Sequence, residues 1–530
     1  MNNFTVALLV TSILSTLGMA SIVVKYLDVH DIGLILLFIV GMCVVSAVKL
    51  RWRISSLFIV LFVFILLGST YSVPRLILFG GLMCSFILGL LISKGFCWPS
   101  LNNTRLTGQR LLESVIWLLP TALTISSSWT SSGFAYRVLQ ARDMHLDAYF
   151  HASLTSMLQQ YGVASTGVDG LQQIRYHDLL HRCIATIANF SGYSPLGLFS
   201  YIHFVVVLPL LYSVFGKLSS NFCEVKKSAF EAIGFTAIII MCFYRIFRIS
   251  GFGDIFMHSE TQGLALGLLF LYIVTPIECH SSKHPGLRFL FISFATIVVL
   301  GLLKGPFAIL GLIVAIARVA RIDWSWKFRA LSGGTLLLAT FLTLTKYFGG
   351  ESGTSLGLFP YAMKSTVYQS AIHLLGGGPL PIAIGILAHL LLFYLPCIAQ
   401  VVVQKKLRFQ TDLKLLLLLS FSIIFESIID FDGPNVFWVT CVPVLYSLCW
   451  IASRFLASKV RIPIAIVAGL FLCASVYVPG IRRRLNRYAI NPSANAVTRI
   501  ISLESLRGEP KTVFDGKMVP WAMRESMHDV

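Results

Sequence analysis

The stretch Asp143 to His151 reads DMHLDAYFH and sets two carboxylates and an imidazole at i, i+4 and i+8. On a helix, Asp143, Asp147 and His151 therefore project from roughly one face, with His145 between them. Such a stripe can deprotonate a hydroxyl or hold a divalent cation of the Mg or Mn type. A solvated helix face beside lipid headgroups accounts for the same spacing. A second cluster follows at Arg175, Tyr176, His177, Asp178, His181 and Arg182. Here His177 and His181 share a face, and the flanking arginines can hold a phosphate by charge-assisted hydrogen bonds. An amphipathic helix whose His and Arg residues meet lipid phosphates is the alternative. Apolar residues at helical spacing over 144–158 and 174–188 predict a helix for each cluster. The turn-rich link YGVASTGVDG, Tyr161 to Gly170, suits a reversal that folds one helix onto the other.

Further chemistry-bearing residues lie downstream. The run RIFRISGFGDIFMHSETQG carries Arg245, Arg248, Asp254, His258 and Glu260. Arg248 suits an anionic phosphate or a loop-anchoring ion pair. Lys304 stands in a tight KGP turn, where a lone cation either snorkels or binds a ligand phosphate. In FESIIDFDGPN, Glu426 falls within an apolar run and Asp430 and Asp432 at its end. An acid inside a span is costly to bury and so is a functional candidate.

The elements that must position these groups follow from composition. The 530 residues are 56% hydrophobic and 12% charged, against roughly 25% charged in a soluble domain. Apolar runs of about 20 residues recur from end to end, long enough to cross a ~30 Å hydrocarbon core. The expected fold is all-α, a polytopic transmembrane bundle of about 14–15 spans with a long helical outer loop. The expected organisation is N-terminal transmembrane helices over 1–127, an outer loop carrying the two clusters over 128–194, a helical core over 195–480 and a polar tail over 481–530. Spans are predicted at 228–247, 261–278, 286–303, 306–320, 330–348, 378–402, 412–430, 435–454 and 461–480, with 197–216 leading into them and the rest before residue 128.

The net charge of +19 is spread in short Lys and Arg clusters between apolar runs, which report membrane orientation and argue against nucleic acid as a partner. With the N-terminus inside, Lys49, Arg51 and Arg53, then Lys217, Lys226 and Lys227, then Lys405, Lys406 and Arg408 fall on the inner side. The loop 128–194, the Arg248 to Glu260 segment and Lys304 then face outward, periplasmic if the host membrane is a bacterial inner membrane. One cluster dissents: Arg482, Arg483, Arg484 and Arg487 follow the last span directly. The 11 cysteines lie mostly in apolar runs without CxxC spacing and read as small buried residues. No inner loop carries a P-loop or other nucleotide motif.

The pattern D-M-H-L-D-A-Y-F-H, then Y-G-V-A-S, then R-Y-H-D-L-L-H resembles the membrane glycosyltransferases of the GT-C class, which are polytopic and carry acidic residues in an early outer loop. The resemblance implies a sugar donor linked to a polyprenyl phosphate and a glycan, lipid or protein acceptor at the outer face. It makes Asp143 or Asp147 the general base and Arg248 or Lys304 a donor-phosphate contact. His145, His151, Arg175, Tyr176, His177, His258 and Glu260 join the expected substrate-binding set. No metal ligand set is assigned. The acidic loop of this class commonly follows the first span, whereas here it follows the fifth. Three other readings stay open: a transporter or flippase of a lipid-linked saccharide, a polysaccharide polymerase or ligase, and a membrane scaffold.

Overall fold

A computed structural model describes residues 146–165, 177–191, 207–223, 229–246, 260–275, 285–320, 324–345, 365–404, 409–430 and 435–458, with isolated positions between and beyond them. The spans expected before residue 128, the span at 461–480 and the tail at 481–530 lie outside the described residues.

The regular elements among the described residues are helices, apart from one two-residue strand pairing. The helices are α1 (Leu146–Tyr161), α2 (Leu179–Ser191), α3 (Leu208–Phe222), α4 (Ala229–Ile246), α5 (Glu260–Val274), α6 (Pro285–Leu303) and α7 (Pro306–Val319). They continue with α8 (Trp326–Thr345), α9 (Thr366–Leu375), α10 (Pro379–Phe393), α11 (Leu395–Val403), α12 (Phe409–Ile428) and α13 (Asn435–Ala457). Strand β1 (Ser355–Leu356) pairs antiparallel with β2 (Ile429–Asp430), Ser355 opposite Asp430 and Leu356 opposite Ile429. This pairing ties the segment before α9 to the end of α12.

Helix starts follow local chemistry. Proline occupies the first turn of α3, α7, α10 and α11, where its missing N–H would have no intrahelical partner. Ser365 caps α9 by accepting from the Tyr368 backbone N–H at 3.1 Å. Between α9 and α10 the chain reverses through Gly376 and Gly378, at φ +83° and +139°, which L side chains rarely adopt.

One contiguous apolar core joins α3, α4, α5, α6, α7, α12 and α13. The α3–α4 approach is close: a Cβ at Gly216 would lie 2.8 Å from the Ile233 Cα, so only glycine fits there. Arg318 of α7 is buried and donates to the carbonyls of Ile273 at 3.3 Å and Thr275 at 2.9 Å, and also to that of Tyr272. Its guanidinium also lies over the Tyr272 ring, 4.3 Å from the centroid. It thus satisfies the orphan carbonyls that end α5 and neutralises the negative end of that helix.

Among the described residues, two helices are long and apolar enough to cross a membrane, Trp326–Thr345 and the Val439–Ala457 part of α13. A third candidate is the bent pair α10 and α11. The outer faces of α8 and α10 are apolar rather than charged, with Leu331, Phe341, Leu380 and Leu387 all exposed, whereas the α13 segment is mostly buried. Apolar patches of this kind on a folded chain mark contact with lipid or with a partner.

The helices α4 to α8 fall close to the spans predicted from hydropathy, including the adjacent pair 286–303 and 306–320. One span is corrected. The run 378–402 is two helices that meet at 62° rather than one. Pro396 is the physical cause, since it cannot donate to the Leu392 carbonyl and its ring clashes with the preceding turn. Of the span predicted at 197–216, the part from residue 207 is described, and α3 runs past the predicted end to Phe222.

Candidate functional site

The predicted pair of loop helices is present as α1 and α2, packed against each other. Gly162 at φ +70° closes α1, and the Ile174 N–H donates to the Ala164 carbonyl at 2.8 Å, pinning the link between the helices.

At the centre of this hairpin His151 Nδ1 and His181 Nε2 are 2.9 Å apart, both side chains buried. The two rings are tilted, with centroids 5.0 Å apart. Of two facing ring nitrogens one must donate and the other accept, so the pair fixes a tautomer relationship. Burial holds the pKa of His181 well below the ordinary histidine value, and the charges of His151 and Lys304 push the same way. A hydrogen bond with the His177 backbone opposes them. At neutral pH His181 is therefore an uncharged imidazole. If its Nδ1–H is directed to the His177 backbone, its Nε2 accepts from His151, and His151 Nε2 faces away from the pair.

Lys304 is the element from outside the loop that joins this site. It sits half-buried in the turn between α6 and α7, its N–H bonded to the Leu300 carbonyl at 2.8 Å and its carbonyl to the Phe307 N–H at 2.9 Å. Helix α2 packs on α6, and the ammonium is near enough to act electrostatically on His181. The hairpin thus lies against the end of the helical core where α6 turns into α7.

Among the residues singled out from sequence, His151, His177 and Lys304 are described with their side chains, and His151 and Lys304 meet at His181. Asp147 lies in the first turn of α1, four residues before His151, and Glu260 is the first residue of α5. Asp143, His145, Arg175, Tyr176, Arg248 and His258 lie outside the described residues. Arg182 is engaged by Asp178, Nε and Nη2 reaching Oδ2 at 2.9 and 2.8 Å, so the phosphate role open to it from sequence competes with an i,i+4 ion pair. Burial, aided by the Asp178 charge, pushes the Cys183 thiol up to about 12, leaving it a protonated packing residue. Among the described residues, no group of three or more His, Cys, Asp or Glu side chains could hold a metal ion.

A second polar cluster lies elsewhere in the core. Glu426 of α12, fully buried, takes His389 Nε2 at 2.7 Å on Oε1 and the Tyr394 hydroxyl at 2.9 Å on Oε2. Phe393 stacks on the His389 ring at 5.4 Å. Sequence singled out Glu426 as an acid within a span, but not its partners. The available signals were a lone histidine in an apolar run and a Tyr-Leu-Pro break five residues after it.

No protein-family model, curated protein or solved structure matches the chain.

Proposed function

We propose that the chain is a polytopic membrane glycosyltransferase of about 14–15 spans. In this reading it transfers a sugar from a polyprenyl-phosphate-linked donor to a glycan, lipid or protein acceptor at the outer face of a bacterial inner membrane. The observation that supports it best is the convergence of His151, His181 and Lys304 where the α1–α2 hairpin meets the α6–α7 turn. Asp147 precedes this point on α1, and a cation stands beside it. That combination suits a reaction in which a hydroxyl loses a proton while a lipid phosphate departs.

Roles follow from that chemistry. Asp143 or Asp147 takes the proton of the acceptor hydroxyl. Lys304, with Arg248 as the second candidate, stabilises the charge that grows on the phosphate as the glycosidic bond breaks. His151 and His181 hold the hairpin in register, and His145, Arg175, Tyr176, His177, His258 and Glu260 complete the substrate-binding set. A divalent cation, Mg or Mn, is compatible with the carboxylates of the stripe. The apolar outer faces of α8 and α10 suit contact with lipid and with a polyprenyl tail.

The transporter or flippase reading is supported by a different observation, the buried Glu426 and His389 at a broken helix, since intramembrane ionisable groups at helix breaks commonly line transport paths. Purified protein supplied with a panel of polyprenyl-phosphate sugars separates the two. Transfer that is lost in Asp143→Asn or Asp147→Asn in folded protein supports the enzyme and identifies the base. Undiminished transfer in both variants removes these carboxylates from the mechanism. Movement of the lipid-linked saccharide across a bilayer without transfer sinks the enzyme reading.

A further inference from the structure

We propose that Gln262 of α5 is a sugar-recognition residue, whose carboxamide pairs with hydroxyls of the donor sugar beside a phosphate held at Lys304. The inference deepens the glycosyltransferase reading and rests on it. Gln262 is fully buried, and neither its amide nitrogen nor its amide oxygen has a hydrogen-bond partner. Buried polar groups are paired as a rule, and a buried amide left unsatisfied is destabilising. Packing gives no reason for one here, since Ala265, Leu266 and Leu269 on the following turns are apolar and fully buried. A leucine or methionine would fill the same place without the penalty. A partner that arrives with a ligand accounts for the amide.

The register of three helices places Gln262 at the level of Lys304. Helices α5 and α7 pack along each other and end together, where Arg318 meets the Tyr272 and Thr275 carbonyls. The hydroxyls of Tyr272 and Ser293 are 2.7 Å apart, which sets α6 at the same level. From that layer Gln262 lies ten residues back along α5, Phe307 eleven back along α7 and Leu303 ten onward along α6. At a rise of about 1.5 Å per residue, each stands about 15 Å away, at the end where α6 turns into α7 through Lys304 beside His181. The first turn of α5 is fixed there by close packing on α3, since a Cβ at Gly263 would lie 2.5 Å from Val207 Cγ1. Side chains lean toward the N-terminus of their helix, so the Gln262 amide leans toward the Lys304 end.

The chemistry of the amide selects the ligand group. A carboxamide both donates and accepts, as a hydroxyl does, whereas a phosphate only accepts and leaves the amide oxygen unpaired. Gln262 thus reads the uncharged, hydroxyl-bearing part of a ligand whose phosphate faces Lys304. A ligand that pairs with so deeply covered an amide is itself enclosed, which keeps a sugar from water before transfer. Among the described residues one other fully buried glutamine lacks partners for both amide atoms, Gln400, but it stands on α11, which packs chiefly on α13. It supplies the control.

The test is binding by the full-length protein in detergent, without acceptor. The probes are polyprenyl phosphates carrying glucose, mannose or galactose, and the same polyprenyl phosphate without sugar. The wild type is expected to prefer one of the sugar-bearing lipids. Gln262→Met keeps the size of the side chain and removes the amide. It is expected to lower that preference about 10- to 30-fold, as the loss of two net hydrogen bonds dictates. Affinity for the bare lipid and the unfolding temperature are expected to stay at wild-type levels, and Gln400→Met is expected to keep the preference. An unchanged preference in Gln262→Met, with transfer intact in the wild type, overturns this inference and leaves the glycosyltransferase reading standing. A Gln262→Met protein that unfolds at lower temperature, or does not fold, makes the amide a structural group and overturns the inference too. A wild type that neither prefers a sugar-bearing lipid nor transfers from it removes the glycosyltransferase reading, and this inference with it.

Discussion

The two polar clusters are built on opposite principles. At the α1–α2 hairpin, His151 and His181 face each other from two short helices, with Lys304 reaching in from the core. All three are bases, and the buried acid of the hairpin, Asp178, is engaged by Arg182, so the arrangement gains from a bound anion. At the α10–α12 junction an acid, a base and a phenol satisfy one another. A site open to a charged substrate leaves its electrostatics incomplete, whereas a site that holds helices together closes them.

The sharpest way to break this contrast is to remove the acid from the closed cluster. Glu426→Ala leaves His389 and Tyr394 buried without their acceptor and is expected to cost about 3–5 kcal/mol. The readout is thermal unfolding in detergent. A loss below about 1 kcal/mol would mean that the cluster is already hydrated and not closed. At the open site the expectation reverses: Lys304→Gln leaves the unfolding temperature nearly unchanged. It is expected to lower glycosyl transfer about 10²-fold if the cation faces the departing phosphate. Equal damage to stability from both substitutions would erase the distinction between the two regions.

The difference also explains what could be read in advance. The hairpin was legible because its chemistry is local: Asp143, Asp147 and His151 repeat at helical spacing, and the apolar periodicity of 144–158 and 174–188 marks two helices. The register that sets His151 against His181 rather than His177 is a tertiary contact, and spacing alone does not choose between them. Lys304 stood out as a lone cation in a turn, but only the packing of α2 on α6 brings it to the histidines. The junction was half legible. Glu426 drew notice as an acid within an apolar run, whereas its partner lies 37 positions away in a segment that hydropathy reads as one straight span. Hydropathy averages composition over a window and is blind to the consequence of Pro396 within it. Arg318 follows an apolar run as an inner-side cation would, yet it is buried against the carbonyls that end α5. The two roles are compatible, and only the second explains its position.

A pH experiment sharpens the comparison from the side of the open site. The folded pKa of His181 is depressed, chiefly by burial, while the unfolded chain titrates near 6.5. Below about pH 6.5 the unfolded state takes up a proton that the folded hairpin refuses. The contribution of His181 is therefore fully present above that pH and is lost as pH falls, at up to about 1.4 kcal/mol per unit. Hydrogen exchange within α1 and α2 is expected to accelerate over pH 6.5 to 5 and to lose most of that dependence in His181→Gln. An acid response that is unchanged in this variant would assign it to another group.

The smallest expected effect concerns Asp178 and Arg182. Their ion pair is local, four residues apart and only partly shielded, with Arg182 more open than Asp178. Pairs of this kind contribute about 0.5–1 kcal/mol, so Asp178→Asn should barely change the unfolding of the hairpin. Its informative consequence is electrostatic. Releasing the guanidinium adds an unpaired cation to α2, at the position that follows His181. If the hairpin accepts an anionic lipid phosphate, Asp178→Asn should tighten binding of a polyprenyl phosphate severalfold at low salt, and the gain should fade as salt screens it. Weaker binding in this variant would show instead that the carboxylate holds Arg182 in the orientation that the ligand requires.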